Sequence, residues 1–244
     1  WVSSSMNRPI LEHYSGIEAI GIFAVANKFP LLISMLYTVF TYSWQISVLD
    51  EFGKPGYREF YNKVFRVQLL VFVLFVLGIT FFCHSLIKLM TTTDYYEAGQ
   101  YVPILSLAVV FSNLAGFVGT NFSATKESRH YFTTSLWSGL LCLVLNFLLI
   151  PFCGIWGVIV SLLFSNILMF CLRIRKTQAY SPITNVGLCL QLLLVVGGYI
   201  ALFYWTESHW VHTLGLLLAL AVVILLNKDF LSEAYSICKR LVKK

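Results

Sequence analysis

The side chains that could act on a ligand are concentrated in one apolar stretch near the start of the chain. Its polar residues recur at intervals of seven, four, three and four positions, which places them on one face of an α-helix: Asn27, Ser34, Thr38, Thr41 and Gln45. We call this set the polar stripe. Its amides and hydroxyls offer hydrogen bonds, and such a face borders either a water-filled cavity or another helix.

Two cations accompany the polar stripe. Lys28 lies within the same apolar stretch, and Arg8 lies in the polar segment before it. A charge inside a membrane span is costly and marks a candidate functional site, although a lysine can also extend its ammonium group to the interface. Both residues are candidates for offsetting the charge of an anionic ligand, and with the polar stripe they form the predicted substrate path.

Motifs for covalent chemistry are missing from the sequence. There is no phosphate-binding loop, no zinc-protease motif, no nucleophile elbow and no dinucleotide fingerprint. His209 and His212 lack a nearby third ligand, so no metal site is predicted. The six cysteines form no C-x-x-C pair and are interpreted as small hydrophobic residues. We therefore expect neither an enzyme nor a resident cofactor.

Composition identifies the environment of these residues. The 244 residues are 58% hydrophobic and only 11% charged, whereas soluble domains contain roughly 25% charged residues. The net charge of +6 does not indicate a nucleic-acid partner, because the basic residues lie mainly between apolar runs, where they set membrane topology. The predicted fold class is all-α, a polytopic membrane helix bundle.

Seven membrane-spanning helices are predicted from the apolar runs. The first exceeds the roughly 20 residues that a bilayer requires, so it must tilt, bend near Pro30 or extend beyond the membrane. The predicted spans cover residues 17–49, 67–87, 101–124, 132–150, 155–172, 186–205 and 210–226.

Four regions follow from this pattern. Residues 1–16 are predicted to be an outer loop after a missing N-terminal part, and residues 17–172 a five-span transporter lobe. Residues 173–227 would form a basic cytoplasmic loop and two peripheral spans, and residues 228–244 a cytoplasmic tail. Because the chain begins at Trp1 and offers no signal peptide, we expect a fragment of a longer protein.

The distribution of positive charge predicts the orientation. Most of the 17 lysines and arginines follow the odd-numbered spans, among them Arg173, Arg175 and Lys176, whereas Arg8 and Lys88 lie on the opposite side. Positive charge accumulates in cytoplasmic loops. The C-terminus is therefore predicted in the cytoplasm.

Small residues predict close contacts between the helices. Pro151 and Gly154 indicate a tight reversal between the fourth and fifth spans, with Asn146 before it and Gly157 after it. Seams of small residues that permit close packing are predicted on three spans: Ser112, Gly116, Gly119 and Ser123; Ser135, Gly139, Cys142 and Asn146; Gly157, Ser161 and Ser165.

This reversal also carries a family resemblance. The run from Asn146 to Gly157, N-F-L-L-I-P-F-C-G-I-W-G, resembles the N-x-x-L-I-P-x-x-G-x-x-G hairpin of polysaccharide-biosynthesis flippases, the O-antigen and capsule exporters of the MATE-like superfamily. The segment G-I-F-A-V-A-N-K-F before Pro30 and the residues Tyr101, Pro103 and Leu105 resemble two further family segments. The resemblance covers residues 6–180, with one departure: Asn7 stands before Arg8 where the family usually has Asp.

The resemblance implies a protein of two six-helix lobes around a central cavity, of which this chain would be most of the second lobe and two extra C-terminal helices. It implies a flippase in a bacterial inner membrane that translocates a polyprenyl-diphosphate-linked oligosaccharide for cell-surface polysaccharide (lipopolysaccharide or capsule) synthesis. The expected partners are this lipid-linked oligosaccharide, membrane lipids, the missing N-terminal lobe, and a polysaccharide polymerase or glycosyltransferases.

Two other functions have less support in the sequence. A multidrug or cation antiporter of the same superfamily usually relies on intramembrane carboxylates, and only Glu18 lies near the interior of a span. A membrane-embedded sugar acyltransferase would need a catalytic histidine in the membrane, and His84 has no visible partner in the sequence.

Overall fold

The structure, a computed structural model, describes residues 2–178, 183–184, 186–206, 208–230 and 232. It is all-α, and its seven long helices are each apolar and long enough to cross a membrane, as predicted. They are α1 (Val2–Glu51), α2 (Tyr57–Met90), α3 (Val102–Ala124), α4 (Ser128–Cys153), α5 (Ile155–Thr177), α6 (Val186–Trp205) and α7 (His209–Leu226), with a 3-10 helix, Thr93–Gln100, before α3.

Several helices extend beyond the predicted spans. The helix α2 begins at Tyr57, well before the predicted span start at Val67, and α5 continues past Leu172 to Thr177. Hydropathy marks only the part of a helix that matches the bilayer core, whereas the backbone hydrogen bonds continue into polar residues. The predicted tail, residues 228–244, falls almost entirely outside the described residues.

The segment before the first span is helical, so the prediction of a loop there is wrong. Residues 2–15 are helical and bury Asn7 and Leu11. The sequence left a bend near Pro30 as one of three alternatives for this long span; the non-helical backbone inside α1 lies instead at Gly16, with φ 82° and ψ 177°. Glycine has no Cβ and adopts positive φ at little cost. The helical backbone is therefore interrupted at Gly16 and continues without interruption at Pro30.

The predicted reversal between the fourth and fifth spans is present, but Pro151 does not end the helix. Pro151 lies inside α4, which ends at Cys153, and Gly154 reverses the chain with φ 54° and ψ −124°. A Cβ on Gly157 would lie 2.7 Å from the backbone nitrogen of Ile150. The reversal, here called the hairpin, therefore requires glycine at both positions.

Within residues 1–184, which form one compact unit, α3 is the most deeply buried helix. It runs parallel to α5, because the Asn166 amide donates to the Ala108 carbonyl and Arg173 donates to the Ala115 carbonyl at the same sequence separation. We call the end near the 3-10 helix and Gly154 the hairpin end, and the end with the α1–α2 and α3–α4 loops the basic end.

Residues 185–244 form a second unit. Its two described helices, α6 and α7, pack against each other where Gly215 faces the side chains of Leu202 and Tyr199. A Cβ at Gly215 would collide with Leu202, so glycine permits the close approach.

Candidate functional site

The polar stripe lies along the open side of α1. Thr38 and Gln45 are exposed, whereas Asn27, Ser34 and Thr41 are half-buried. The buried face of the helix is formed by other residues, among them Ile33 and Trp44. At about 100° per residue, the stripe is centred roughly 100° away from that buried face. It therefore borders the surface that α1 leaves uncovered.

The hydrogen bonds of the polar stripe stay within α1. The Thr38 hydroxyl donates to the Ser34 carbonyl at 2.8 Å, and the Thr41 hydroxyl donates to the Tyr37 carbonyl at 2.8 Å. Within the described part of the chain, none of the five stripe side chains hydrogen-bonds to another helix. Hydrogen bonding to another helix, one of the two alternatives for the stripe, is therefore not observed among these residues.

The structure does not bring the two candidate cations to the stripe. Lys28 is exposed, but it follows Asn27 directly and so points about 100° away from it. It shares its face of α1 with the exposed apolar residues Met35 and Ile46. Arg8 is exposed on the segment before Gly16. The predicted path residues thus divide into three groups.

The hairpin motif fixes the first segment of α1. The Asn146 side chain is fully buried and donates from Nδ2 to the Asn7 Oδ1 atom at 2.6 Å. At the other end of the segment, a Cβ on Gly154 would lie 3.4 Å from the Ser15 hydroxyl. The Cys142 thiol also lies within 3.9 Å of Asn7 Oδ1. Asn146 therefore joins residues 2–15 to α4.

Two of the predicted seams are packing surfaces. On α3, a Cβ at Gly116 would meet the Tyr37 hydroxyl at 2.9 Å, and a Cβ at Gly119 would meet Arg173 Nη1 at 2.8 Å. Between α4 and α5, the Ser138 hydroxyl donates to the Ser165 carbonyl at 2.8 Å. The two glycine contacts confirm that the small residues of α3 permit close approach, and the third contact joins Ser165 of the α5 seam to Ser138, which lies outside the predicted α4 seam.

Arg173 is predicted in a basic loop, and this prediction is wrong. Arg173 lies inside α5, and only 2% of it is exposed. Its Nη1 donates to the Ala115 carbonyl at 2.7 Å, its Nη2 to the Ser135 hydroxyl at 2.9 Å, and its Nε to the Thr134 hydroxyl at 3.3 Å.

The rest of the Arg173 environment is aromatic. The guanidinium carbon lies 4.2 Å from the centre of the Tyr131 ring, a cation–π contact. Arg173 therefore links α3, α4 and α5 near the basic end. The glycine at 119 and the hydroxyls at 134 and 135 were the available sequence signals, since together they leave room and acceptors for a guanidinium group.

The described acidic side chains lie at the surface of the protein. Among the described residues, no Asp or Glu is buried, and no group of three or more His, Cys, Asp and Glu residues could hold a metal ion. Glu18 is exposed at the hairpin end of α1. His84 is exposed beside Gly99 and approaches the Cys83 thiol at 3.6 Å.

Comparison with solved structures supports the fold. The chain resembles a structure titled "Lipid II flippase MurJ, inward closed conformation" with a TM-score of 0.70 and 16% sequence identity. The alignment covers 96% of this chain and 51% of that chain, so the chain spans about half the length of the matched protein. No family model matches the sequence, and no curated protein matches it. The chain thus has the fold of half of a MurJ-like flippase.

Proposed function

We propose that the chain is one lobe of a membrane flippase that translocates a polyprenyl-diphosphate-linked oligosaccharide for cell-surface polysaccharide synthesis. The observation that carries the proposal is the likeness to a lipid II flippase over 96% of the chain. The N-x-x-L-I-P-x-x-G-x-x-G hairpin adds the link to the polysaccharide exporters, because Asn146, Gly154 and Gly157 each have a defined structural role.

The polar stripe would be this lobe's wall of the translocation path. A sugar headgroup keeps its hydroxyl groups hydrogen-bonded during transport only if the path supplies polar partners, since an unsatisfied polar group in hydrocarbon costs several kcal/mol. The stripe supports this role because its side chains are exposed or half-buried and form no hydrogen bond with another described helix. Arg8 would offset the diphosphate charge, and Lys28 would meet lipid headgroups or the other lobe.

The proposal also includes a second lobe, the membrane in which the protein lies and the enzymes that act on the glycan. A second lobe, corresponding to the other half of the matched flippase, would cover the open side of α1 and close the path. The protein would lie in a bacterial inner membrane with the basic end in the cytoplasm, as the distribution of positive charge predicts. A polymerase or glycosyltransferases would supply and use the glycan.

A proton-coupled multidrug or cation antiporter is less well supported. Such coupling requires a carboxylate that exchanges its proton inside the membrane. In the described part of the chain all the acidic side chains are exposed or half-buried, and Glu18 lies at the end of its span.

The test is translocation of a fluorescent lipid-linked oligosaccharide in proteoliposomes that contain the full-length transporter. Gln45→Leu should slow translocation by about tenfold or more, because it removes one polar partner of the headgroup, worth roughly 1.5 kcal/mol. Ser43→Leu is the matched control, since Ser43 is also exposed but lies on a different face of α1. Equal rates for the two variants would remove the stripe from the path, and no translocation by the unmodified protein would reject the flippase.

A further inference from the structure

The 3-10 helix Thr93–Gln100 forms a second polar surface, at the hairpin end. A 3-10 helix has about three residues per turn, so side chains three positions apart eclipse one another. Asp94, Glu97 and Gln100 therefore form one row, in which Asp94 and Glu97 are exposed. The row presents two carboxylates and an amide on one side of the helix.

Glu97 is held in place by its neighbours. Its Oε1 atom accepts hydrogen bonds from Gln100 Nε2 at 2.9 Å and from the Tyr101 hydroxyl at 3.0 Å. Burial and the hydrogen bond to Glu97 together raise the pKa of Tyr101 to about 12, so the hydroxyl stays protonated and continues to donate at physiological pH. With Oε1 engaged by these donors, Oε2 is oriented to accept from a ligand.

Two tyrosine rings lie beside this row. Tyr95 and Tyr96 are 36% and 37% exposed, so each ring is partly covered and partly open. Tyr95 is positioned by α1, because a Cβ on Gly21 would lie 3.2 Å from its ring. Beneath the row, Tyr101 packs edge-on against Trp156 of α5, with ring centres 5.0 Å apart. Tyr95 thus packs against α1, and Tyr101, which holds Glu97, packs against α5.

We infer that this surface binds the glycan of the lipid-linked substrate as it emerges at the hairpin end. A pyranose ring presents an apolar C–H face, which stacks on tyrosine, and a rim of hydroxyl donors, which carboxylates and amides bind strongly. The inference rests on the proposed function, and on the orientation that places the hairpin end outside the cytoplasm. The ligand class is the sugar, whereas the diphosphate and lipid make no contact with the surface.

The experiment compares two ligands on the purified full-length transporter in nanodiscs: lipid II, and a polyprenyl diphosphate that carries no sugar. Tyr96→Ala and Glu97→Gln should each weaken lipid II binding by about 5- to 10-fold, the effect of losing one stacking or hydrogen-bond contact, and leave the sugar-free lipid unchanged. The sugar-free lipid also reports whether each variant is folded, and Glu97→Gln keeps the shape of the side chain.

Matched controls come from the same chain. Tyr14→Ala removes an exposed tyrosine of the segment before Gly16, and Glu59→Gln removes an exposed carboxylate of α2 near the basic end. Neither control should change lipid II affinity. If Tyr96→Ala and Glu97→Gln bind lipid II as the unmodified protein does, the glycan surface is wrong and the proposed function stands. If the unmodified protein binds neither lipid, both proposals fail.

Discussion

At the scale of single residues, Arg173 is the buried charged side chain of the described residues, so its removal from water costs more free energy than that of any buried neutral polar group. Its guanidinium group is removed from water without a buried carboxylate among the described residues, and a carbonyl, two hydroxyls and one aromatic face replace the lost hydration. Such neutral partners satisfy a guanidinium group only when several converge, which explains why α3, α4 and α5 meet here.

We predict that Arg173→Gln destabilises the bundle by roughly 3 kcal/mol, because the buried Ala115 carbonyl and the Thr134 hydroxyl lose their donor. The measurement is the thermal unfolding midpoint of the detergent-solubilised protein, which is determined by size-exclusion chromatography of heated samples. Arg175→Gln is the control, since Arg175 is exposed and lies two residues after Arg173 on the same helix. This variant should leave the midpoint unchanged. Equal midpoints would mean that Arg173 is not a structural link.

The buried pair Asn7 and Asn146 permits a double-mutant cycle. Replacing either residue by alanine should cost about 1 kcal/mol, and the double variant should cost less than the sum by roughly 0.6–1 kcal/mol, the range for hydrogen bonds between membrane helices. Denaturant unfolding of the four proteins gives the coupling energy. Strictly additive costs would show that the 2.6 Å contact contributes nothing to stability.

At the scale of helices, glycine determines where the chain turns. The sequence predicted the number of helices because an apolar run of about 20 residues in a membrane protein has few alternatives to a membrane-spanning helix. It did not predict the bend at Gly16 or the helical residues 2–15, because a polar segment becomes helical only through contacts such as that of Asn7 with α4. Hydropathy contains no information on such a contact.

We predict that Gly157→Ala disrupts the hairpin. The added Cβ would lie 2.7 Å from backbone atoms of Leu149 and Ile150, which cannot rotate away as a flexible side chain can, so the cost should be about 1–3 kcal/mol or more. Gly78→Ala in α2 is the control, because its Cβ would meet no atom within 4 Å and alanine favours a helix. Expression and thermal stability of the two variants are compared, and equal stability would contradict the close approach.

At the scale of the whole molecule, transport depends on the orientation of the lobe in the membrane and on whether α1 borders water or lipid. The sequence predicted the polar stripe as a set, because a helical period fixes which residues share a face. The same period places Lys28 about 100° from the stripe, but it does not show which face of α1 the other helices cover. Arg173 is predicted in a loop because a basic residue at the end of an apolar run usually marks the interface.

The orientation is tested by cysteine labelling in a cysteine-free background. Ser208→Cys, in the connection between α6 and α7, should react with a membrane-impermeant maleimide in intact cells, whereas Lys126→Cys, at the basic end, should react only after permeabilisation. Both positions are exposed, so accessibility within the protein is matched. The reverse pattern would invert the topology.

A water-filled path along α1 is tested by the reactivity of single cysteines on this helix of the full-length transporter with a water-soluble thiol reagent. We predict that cysteines at the exposed stripe positions Thr38 and Gln45 and at the half-buried Ser34 react rapidly and are protected by the lipid-linked oligosaccharide, whereas cysteines at the exposed positions Met35 and Ile46 react slowly. Reaction at the stripe that is no faster than at Met35 and Ile46 would contradict a water-filled path along this helix.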